Sequence, residues 1–333
     1  MRDILKNCIA TVLFKTGVLF LVHRLLYRQR AVILMYHRVL PSLPTGLDYV
    51  QPGMFVTVET FRRHANLLKK RFEVVSLAEI FSRLHTGKSV AGCCAITFDD
   101  GWLDNFSHAF GVLEESNLPA TVFLASGFIG SNNCFWPEQL SFHLRQSGIN
   151  KEGMQGGIYE KLSNEVPPTA DEAVYLDNAI MALKNWSPKE RDELLASFHA
   201  SAKSPAPPRL LMNWDEVLTM HQSGLVDFGS HTANHIILDQ VPLDMAREEI
   251  VHSRDEIEAH LGVPVTLFAY PNGNYNASLR KIVTDSGYIG AVTTKSGWIS
   301  RNKNLFSLPR IGLHEDVCNT RARFYARLIL QKF

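Results

Sequence analysis

Short apolar runs alternate with helical patterns along most of this chain. Six runs, rich in β-branched and aromatic residues, have the composition of strands buried on both faces. They cover residues 31–36, 93–98, 120–125, 226–229, 265–270 and 290–294. Helical patterns lie between them, at residues 57–72, 105–116, 214–223, 243–261 and 276–286. This order predicts parallel strands joined by right-handed helical crossovers, in an open sheet or a (β/α) barrel.

The stretch from Ser131 to Arg209 interrupts the alternation. It is helical in character, rich in proline, and contains no apolar run typical of a strand. We expect an insertion that caps or walls the site rather than forming a separate domain. The predicted organisation is a basic amphipathic helix at 1–30, a main domain at 31–320 with the insertion at about 131–209, and a basic helix at 321–333.

The composition indicates an ordinary globular protein. With 333 residues, 46% hydrophobic and 20% charged, the chain is long enough to bury a large core. Its formal net charge of +1 gives no overall attraction to nucleic acid, and we expect no such partner. The ends differ from the whole, because residues 1–30 carry six cations against one acid and residues 321–333 carry four cations and no acid.

The first 30 residues combine this charge with two apolar runs. Lys15 and His23 interrupt the apolar sequence, which therefore falls short of the roughly 18–20 residues that a spanning helix needs. The small residues of a signal-peptide cleavage site are not evident. We expect an amphipathic helix lying on a membrane surface; a helix packed on the domain and an uncleaved signal anchor are the alternatives.

The five cysteines argue against a disulfide framework, since their number is odd and Cys93 and Cys94 are adjacent within a predicted buried strand. They favour a reducing compartment. We expect a protein of the cytoplasm or of the cytoplasmic face of the membrane, and an extracytoplasmic location stays open.

Two carboxylates follow the apolar run at 93–98. Asp99 and Asp100 stand directly after it and before Gly101. Adjacent carboxylates at a strand end can point in different directions, so that one binds a metal while the other moves protons. The same residues are also typical of a plain polar turn.

Two histidines follow the apolar run at 226–229. His231 and His235 are four residues apart, close enough to bind one ion through neutral imidazoles. With Asp100 they form a three-ligand site that leaves positions open for a water. Asp99, outside the ligand set, would accept the proton of that water as it attacks a carbonyl carbon.

A third polar turn ends the apolar run at 265–270. Tyr270, Pro271 and Asn272 lead into Gly273. The N–H groups exposed by such a turn can stabilise the oxyanion of a tetrahedral intermediate. A turn without a catalytic role is the alternative.

Together these motifs resemble the polysaccharide deacetylase family, also called NodB homology domains or carbohydrate esterase family 4. The resemblance covers about residues 31–314 and rests on MYHRV at 35–39, TFDDG at 97–101, HTANH at 231–235 and FAYPNG at 268–273. It implies an α/β fold, a distorted (β/α) barrel of about seven parallel strands, and a divalent metal, usually Zn²⁺. The implied substrates are N-acetyl or O-acetyl groups of chitin-like, peptidoglycan, xylan or exopolysaccharide glycans.

The resemblance also implies a role for each matching residue. Asp99 becomes the general base, and the backbone of Asn272 becomes an oxyanion donor. Thr232 would orient the metal-binding loop. The implied metal ligands are Asp100, His231 and His235.

Two positions depart from the family pattern. Many members carry an Arg in the third motif that contacts the catalytic Asp, whereas this chain has Ala269. We predict that Arg310, from a later strand, supplies the guanidinium instead. The family's general acid is a His in a late Leu-x-His motif, and His314 is the nearest candidate, at a different spacing. His37 is an alternative site residue or a hydrogen-bonded structural histidine.

The expected function is removal of acetyl groups, N-acetyl before O-acetyl, from a glycan. An O-acetyl esterase on the same scaffold and a non-catalytic member that binds glycan or membrane are the alternatives. Trp136 is a candidate for stacking on a sugar ring, although such residues more often belong to the core. The basic termini suggest a lipid-linked or nascent glycan met at the membrane.

Overall fold

The described part of the chain divides into two compact units. The structure is a computed structural model, and it describes residues 2–44, 50–147, 157–167, 169, 171–200, 208–300 and 303–331. The larger unit is built from residues 1–43, 52–131 and 211–333, and the smaller unit from residues 44–51 and 132–210. The smaller unit thus contains most of the proline-rich stretch that interrupts the strand and helix alternation.

The larger unit is built on a parallel sheet. Its strands are, in chain order, β1 (Val32–Tyr36), β2 (Arg38–Leu40), β3 (Phe55–Thr57), β4 (Glu73–Val74), β5 (Cys93–Phe98), β6 (Ala120–Leu124), β7 (Val226–Ser230), β8 (Leu267–Ala269), β9 (Gly290–Val292) and β10 (Ile311–Gly312). Seven follow the order β10-β1-β5-β6-β7-β8-β9 with every ladder parallel, and β4 pairs with β5. β2 and β3 pair with each other.

The two end strands of this sheet approach each other. Among the described residues β9 and β10 share no ladder, but a single parallel bridge joins Val292 of β9 to Leu308, shortly before β10 begins. The sheet is therefore a curled, incomplete barrel. This confirms the fold predicted from the sequence, a distorted (β/α) barrel of about seven parallel strands.

Helices surround the sheet and build the smaller unit. They are, in chain order, α1 (Arg2–Lys15), α2 (Val18–Val22), α3 (Val58–Arg71), α4 (Leu77–His85), α5 (Gly111–Ser116), α6 (Trp136–Ser147), α7 (Ile158–Glu165), α8 (Glu172–Leu183), α9 (Pro188–Ala200), α10 (Trp214–Gln222), α11 (Leu243–Leu261), α12 (Ala277–Asp285), α13 (Glu315–Cys318) and α14 (Arg321–Leu330). A π-helical turn, Asn105–Phe110, precedes α5 where the sequence predicts regular helix.

Side-chain caps explain where the crossover helices begin. Thr57, Ser76 and Asn276 each accept a hydrogen bond from the backbone N–H three residues further on. Asn213 and Glu216 cap α10 reciprocally. The caps set the helix starts directly after strands or loops, and so fix the lengths of the loops at the carboxyl edge of the sheet.

The smaller unit has its own apolar core, formed by α6–α9. Leu140, Leu176, Ile180 and Leu194 are buried at its centre. Trp136 packs against this core, and the Arg191 guanidinium lies 5.1 Å from its ring centroid.

The N-terminal segment is a broken helix rather than the single helix predicted for residues 1–30. α1 ends before Gly17, whose φ is 79°, and α2 continues into a π-helical turn, His23–Tyr27. Aromatic rings of Phe14 and Phe20 pack on Tyr325 of α14. No single described helix has the length and hydropathy of a membrane span, although the pair Ile4–Lys15 and Val18–Tyr27, bent by 70°, meets that test jointly.

Candidate active site

A strained turn at the end of β5 separates two buried carboxylates. Asp100 and Gly101 both have positive φ, 80° and 87°. A Cβ at Gly101 would lie 2.8 Å from the Ile129 side chain, so this position requires glycine. Asp99 and Asp100 are almost fully buried. The turn lets each carboxylate take a different set of neighbours.

Asp99 forms a bidentate ion pair with Arg310. The two guanidinium nitrogens donate to its two carboxylate oxygens at 2.6 and 2.7 Å. Arg310 is completely buried, and it also donates to the Thr293 carbonyl at 3.0 Å and to the Thr97 hydroxyl at 3.1 Å. These contacts lock the guanidinium in place, so Asp99 is held in one orientation.

The ion pair decides the charge of Asp99. Burial acts to raise the pKa of this carboxyl, but the positive charges of Arg310, His231 and His37 and the hydrogen bonds from Arg310 hold it well below its usual range. Asp99 is therefore an anion at neutral pH, as a proton acceptor must be.

Asp100 turns toward two histidines. Its Oδ2 accepts a hydrogen bond from the Trp102 indole at 2.8 Å, while its Oδ1 is buried and accepts no hydrogen bond from any described residue. That oxygen lies 3.5 Å from His231 Nε2 and 3.3 Å from His235 Nε2. The three potential ligand atoms all lie within 4.8 Å of one another.

The donor set fits a divalent metal ion. His231 Nδ1 donates to the Ala269 carbonyl at 2.7 Å, which leaves the lone pair on Nε2, the atom that faces Asp100. Burial lowers the pKa of His231 and of His235 to about 4 each, so both rings are neutral at pH 7. Two neutral imidazoles around an orphaned, buried carboxylate oxygen are the composition expected of a three-ligand hydrolytic site.

Backbone strain concentrates in the loops of this site. Six non-glycine residues of the described chain have positive φ, and four of them belong to the site: Asp100, Thr232, His235 and Asn272. Each such residue costs of the order of 1–3 kcal/mol unless its surroundings enforce it. The His231 loop is held on one side by the 3₁₀ turn that follows β6, because the N–H of Ser126 donates to the Thr232 carbonyl and that of Gly127 to the Ala233 carbonyl.

Glu249 of α11 holds the other side of the histidine loop. Its buried carboxylate accepts from the Asn234 backbone N–H at 2.8 Å and from the Asn234 side-chain amide at 2.7 Å. Asn234 immediately precedes His235. Glu249 is therefore a positioning residue for His235, which lies on the loop after β7.

Replacing Glu249 with Gln tests this positioning role. The amide keeps one accepting oxygen but presents an NH₂ group to a donor, so the loop loses one of its two restraints. We expect the affinity for a divalent metal to fall by about 10–100-fold, measured by competition with a chelator. Glu248→Gln, at the exposed neighbouring position, is the matched control. Equal affinities in the two variants, with unchanged circular dichroism, would remove Glu249 from the site.

The third polar turn lies after β8. Asn272 has a φ of 56° and Gly273 a φ of 77°. A Cβ at Gly273 would lie 2.1 Å from the Thr294 hydroxyl, so the turn packs directly on the chain after β9. Tyr270 is fully buried and donates its hydroxyl to the Phe306 carbonyl, and Pro271 is also buried.

The two other histidines proposed for the site from the sequence, His37 and His314, follow neighbouring strands of the sheet. His37 directly follows β1. Its positive charge adds to the effect of burial, which lowers the pKa of His235. His314 follows β10, the neighbour of β1, and its Nδ1 lies 3.4 Å from Asp316 Oδ2. No contact between His314 and Asp99 or the three potential ligands is found among the described residues. Trp136 belongs to the smaller unit, where its side chain packs against that unit's apolar core.

Three residues of the site are absent from the sequence prediction. Trp102 orients Asp100, Thr97 accepts from Arg310, and Glu249 holds the histidine loop. The first two lie within or beside the TFDDG motif and could have been proposed from their position. Glu249 lies on a helix beyond the histidine loop, and nothing in its local sequence separates it from the exposed Glu248.

Comparisons with known proteins agree on one family. Residues 86–291 match the family model described as polysaccharide deacetylase. The putative polysaccharide deacetylase YxkH of Bacillus subtilis is 22% identical over 281 residues, which cover 84% of this chain and 70% of the relative.

Two solved structures share the fold at low sequence identity. The Streptococcus pyogenes deacetylase PplD in complex with acetate has a TM-score of 0.58 at 20% identity, covering 91% of this chain and 97% of its own. A de-N-acetylase from Aggregatibacter actinomycetemcomitans has a TM-score of 0.54 at 17% identity, covering 86% and 95%.

Proposed function

Because this chain belongs to the polysaccharide deacetylase family, we propose that it is a zinc-dependent hydrolase that removes N-acetyl groups from a polysaccharide or glycan precursor. The observation that carries the proposal is the Asp100 Oδ1 atom. It is buried without a hydrogen bond from any described residue, faces the Nε2 atoms of His231 and His235, and adjoins a separate anionic carboxylate, Asp99. A metal ligand set beside a base is one of the arrangements that hydrolyse an acetyl group, by activating a water for attack on its carbonyl carbon.

Asp100, His231 and His235 would hold the ion. When bound, a divalent metal lowers the pKa of a water and polarises the acetyl carbonyl. Asp99 accepts the proton of the attacking water. Its two oxygens offer about four lone-pair positions, of which Arg310 occupies two, so the carboxylate stays able to accept. Arg310 keeps Asp99 ionised until the water arrives.

Two further roles complete the proposed reaction. The backbone at Asn272, in its left-handed conformation, donates to the oxyanion of the tetrahedral intermediate. His314 returns a proton to the leaving amine, and its place at the carboxyl end of β10 supports this role. A positive charge on His37 would favour the anionic form of Asp99 and the neutral form of His235.

The N-acetyl assignment is supported by one structural relative, described as a de-N-acetylase. PplD, of the same fold, binds acetate, the product that deacetylation releases. A glycan substrate is supported by the family, whose members act on acetylated polysaccharides.

Chelation should abolish acetate release from acetylated oligosaccharides, and added Zn²⁺ should restore it. His235→Ala should show the same loss without a chelator, because it removes one of the three potential metal ligands. The His235 side chain is 31% exposed, so its removal should cost little packing and the variant should fold. Acetate is measured by a coupled assay across matched N-acetylated and O-acetylated oligosaccharides.

The control for this experiment is His252→Ala, an exposed histidine on α11, which should behave as wild type. Acetate release that survives complete removal of metal would contradict the proposed chemistry. Release from O-acetylated substrates alone would contradict the N-acetyl assignment and leave the metal site standing.

A further inference from the structure

Exposed apolar side chains are concentrated at the N-terminus. Of sixteen large apolar side chains that are exposed in the described structure, eight lie in this one segment. We call them the N-terminal face: Ile4, Leu5, Ile9, Val12, Val18, Leu21, Leu25 and Leu26. Single exposed leucines are ordinary, but a continuous group marks a surface that is covered in use.

α1 is apolar on both of its sides, and the protein covers only one of them. Ala10 is buried, and Phe14 packs on Tyr325 of α14. Leu5, Ile9 and Val12, spaced by four and three residues, lie together on the opposite side and are exposed. A second apolar strip on a surface helix is most stable where it too leaves water. The uncovered side therefore favours an apolar environment that the described residues do not supply.

Cations lie among these leucines. Arg24 and Arg28 are exposed next to Leu25 and Leu26, and neither forms an ion pair with any described residue. The segment 1–30 holds six cations and one acid. Apolar side chains that project between cations match the interface of a bilayer with anionic headgroups.

A cleft between α1 and α14 carries further positive charge. Its volume is about 420 Å³, and residues of α1 and of the start of α14 line it. Lys15 and Arg321 are exposed at the cleft and have no ion-pair partner within the described structure, whereas Arg63 is paired with Glu59. The cleft therefore adds positive charge near the N-terminal segment.

We propose that the N-terminal face docks the protein on an anionic membrane surface, with its apolar side chains in the headgroup and acyl boundary and Arg24 and Arg28 on headgroup phosphates. Charge complementarity favours lipid over a second copy of this chain, because a symmetric pairing of the face would bring its unpaired arginines together. Exposed apolar side chains of the N-terminal face lie on both helical pieces, which meet at a bend of 70°. The inference goes beyond the proposed function, since it concerns where the protein is held.

Vesicle binding tests the proposal on the full-length protein. Wild type should sediment with vesicles that contain phosphatidylglycerol and stay in solution with phosphatidylcholine alone. Leu21→Ser with Leu25→Ser removes two side chains that are 57% and 70% exposed, and should weaken binding by about tenfold or more. The matched control, Leu243→Ser with Met245→Ser, removes side chains that are 48% and 50% exposed on α11 and should bind as wild type.

A second pair of variants tests the charge. Arg24→Glu with Arg28→Glu should also weaken binding by about tenfold or more, and added salt should abolish the difference from wild type. Lys88→Glu with Lys303→Glu makes the same charge change at exposed positions that are not part of the N-terminal face, and should leave binding unchanged. Thermal unfolding of all four variants should match wild type, because each substituted side chain is exposed.

Three results would overturn the proposal. The first is failure to recover wild type with anionic vesicles. The second is binding of the Leu21 and Leu25 variant as tight as that of wild type. The third is a wild-type dimer in sedimentation velocity without lipid that these substitutions dissociate, which makes a second copy the occupant. Binding is read without any substrate, so a failure here is distinct from a failure of the proposed deacetylation.

Discussion

Asp99→Asn is expected to lower kcat/KM for acetate release by about two to four orders of magnitude, the range that general-base catalysis contributes. The amide has nearly the same shape but cannot accept a proton from water. Asp99 lies outside the Asp100, His231 and His235 triad, so the variant should still bind one metal ion. Acetate release and metal content, measured on the same preparation, separate the two properties.

The variant needs a control for stability, because it leaves the Arg310 charge with one carbonyl oxygen instead of a carboxylate. Assays should therefore be run well below the unfolding temperature of the variant, determined by circular dichroism. Asp227→Asn, at an exposed position of β7, makes the same chemical change away from the site and should be fully active. An active Asp99→Asn enzyme would end the assignment of Asp99 as the base.

Arg310→Met is expected to lower the free energy of unfolding by about 3–5 kcal/mol, the usual cost of breaking a buried ion pair by removing one partner. Arg310 is fully buried and makes both hydrogen bonds to Asp99, so the carboxylate would stay buried without its counterion. Arg83→Met is the matched control. It breaks ion pairs with the exposed Glu73 and Glu79 and should cost no more than about 1 kcal/mol. Urea denaturation gives both values.

The pH dependence of this loss has a definite sign. In wild type the pKa of Asp99 is lowered on folding, so its contribution to stability is present above the unfolded value of 3.8 and is lost as the pH falls. Without Arg310, the strongest positive charge beside Asp99 is gone, and we expect burial, the largest single influence on the pKa of Asp99, to raise it above 3.8. Its contribution is then lost as the pH rises, and the deficit of the variant should be larger at pH 8 than at pH 5. An equal deficit at the two pH values would show that the ion pair does not control the charge of Asp99.

The parts of the fold that follow from sequence are those with long, uninterrupted patterns. The strand at 93–98 and the helix at 243–261 have the same bounds in the structure as in the prediction. β2, β3, β4 and β10 are two or three residues long, and a pattern that short has no measurable period. The π-helical turn before α5 cannot be predicted from apolar spacing either. A single turn with i→i+5 hydrogen bonds is too short to change the 3.6-residue period of the apolar positions around it.

The candidate site divides along a similar line. Asp100 and the two histidines follow apolar runs, so the rule that parallel strands end at one edge brings them together without a structure. Glu249 reaches the histidine loop from the side of a helix, and Trp102 reaches Asp100 from inside a turn. Such contacts depend on the angle at which elements pack, which residue spacing along the chain does not encode.

At position 269 the main chain, and not the side chain, contributes to the site. The Ala269 side chain is buried in the apolar core beneath the sheet, while its carbonyl fixes the proton of His231. A main-chain oxygen is present whatever residue is encoded there, so the tautomer of His231 is insensitive to single substitutions that leave β8 in place. The guanidinium that pairs with Asp99 comes from Arg310, and even a change of this residue to lysine would give up the bidentate pairing.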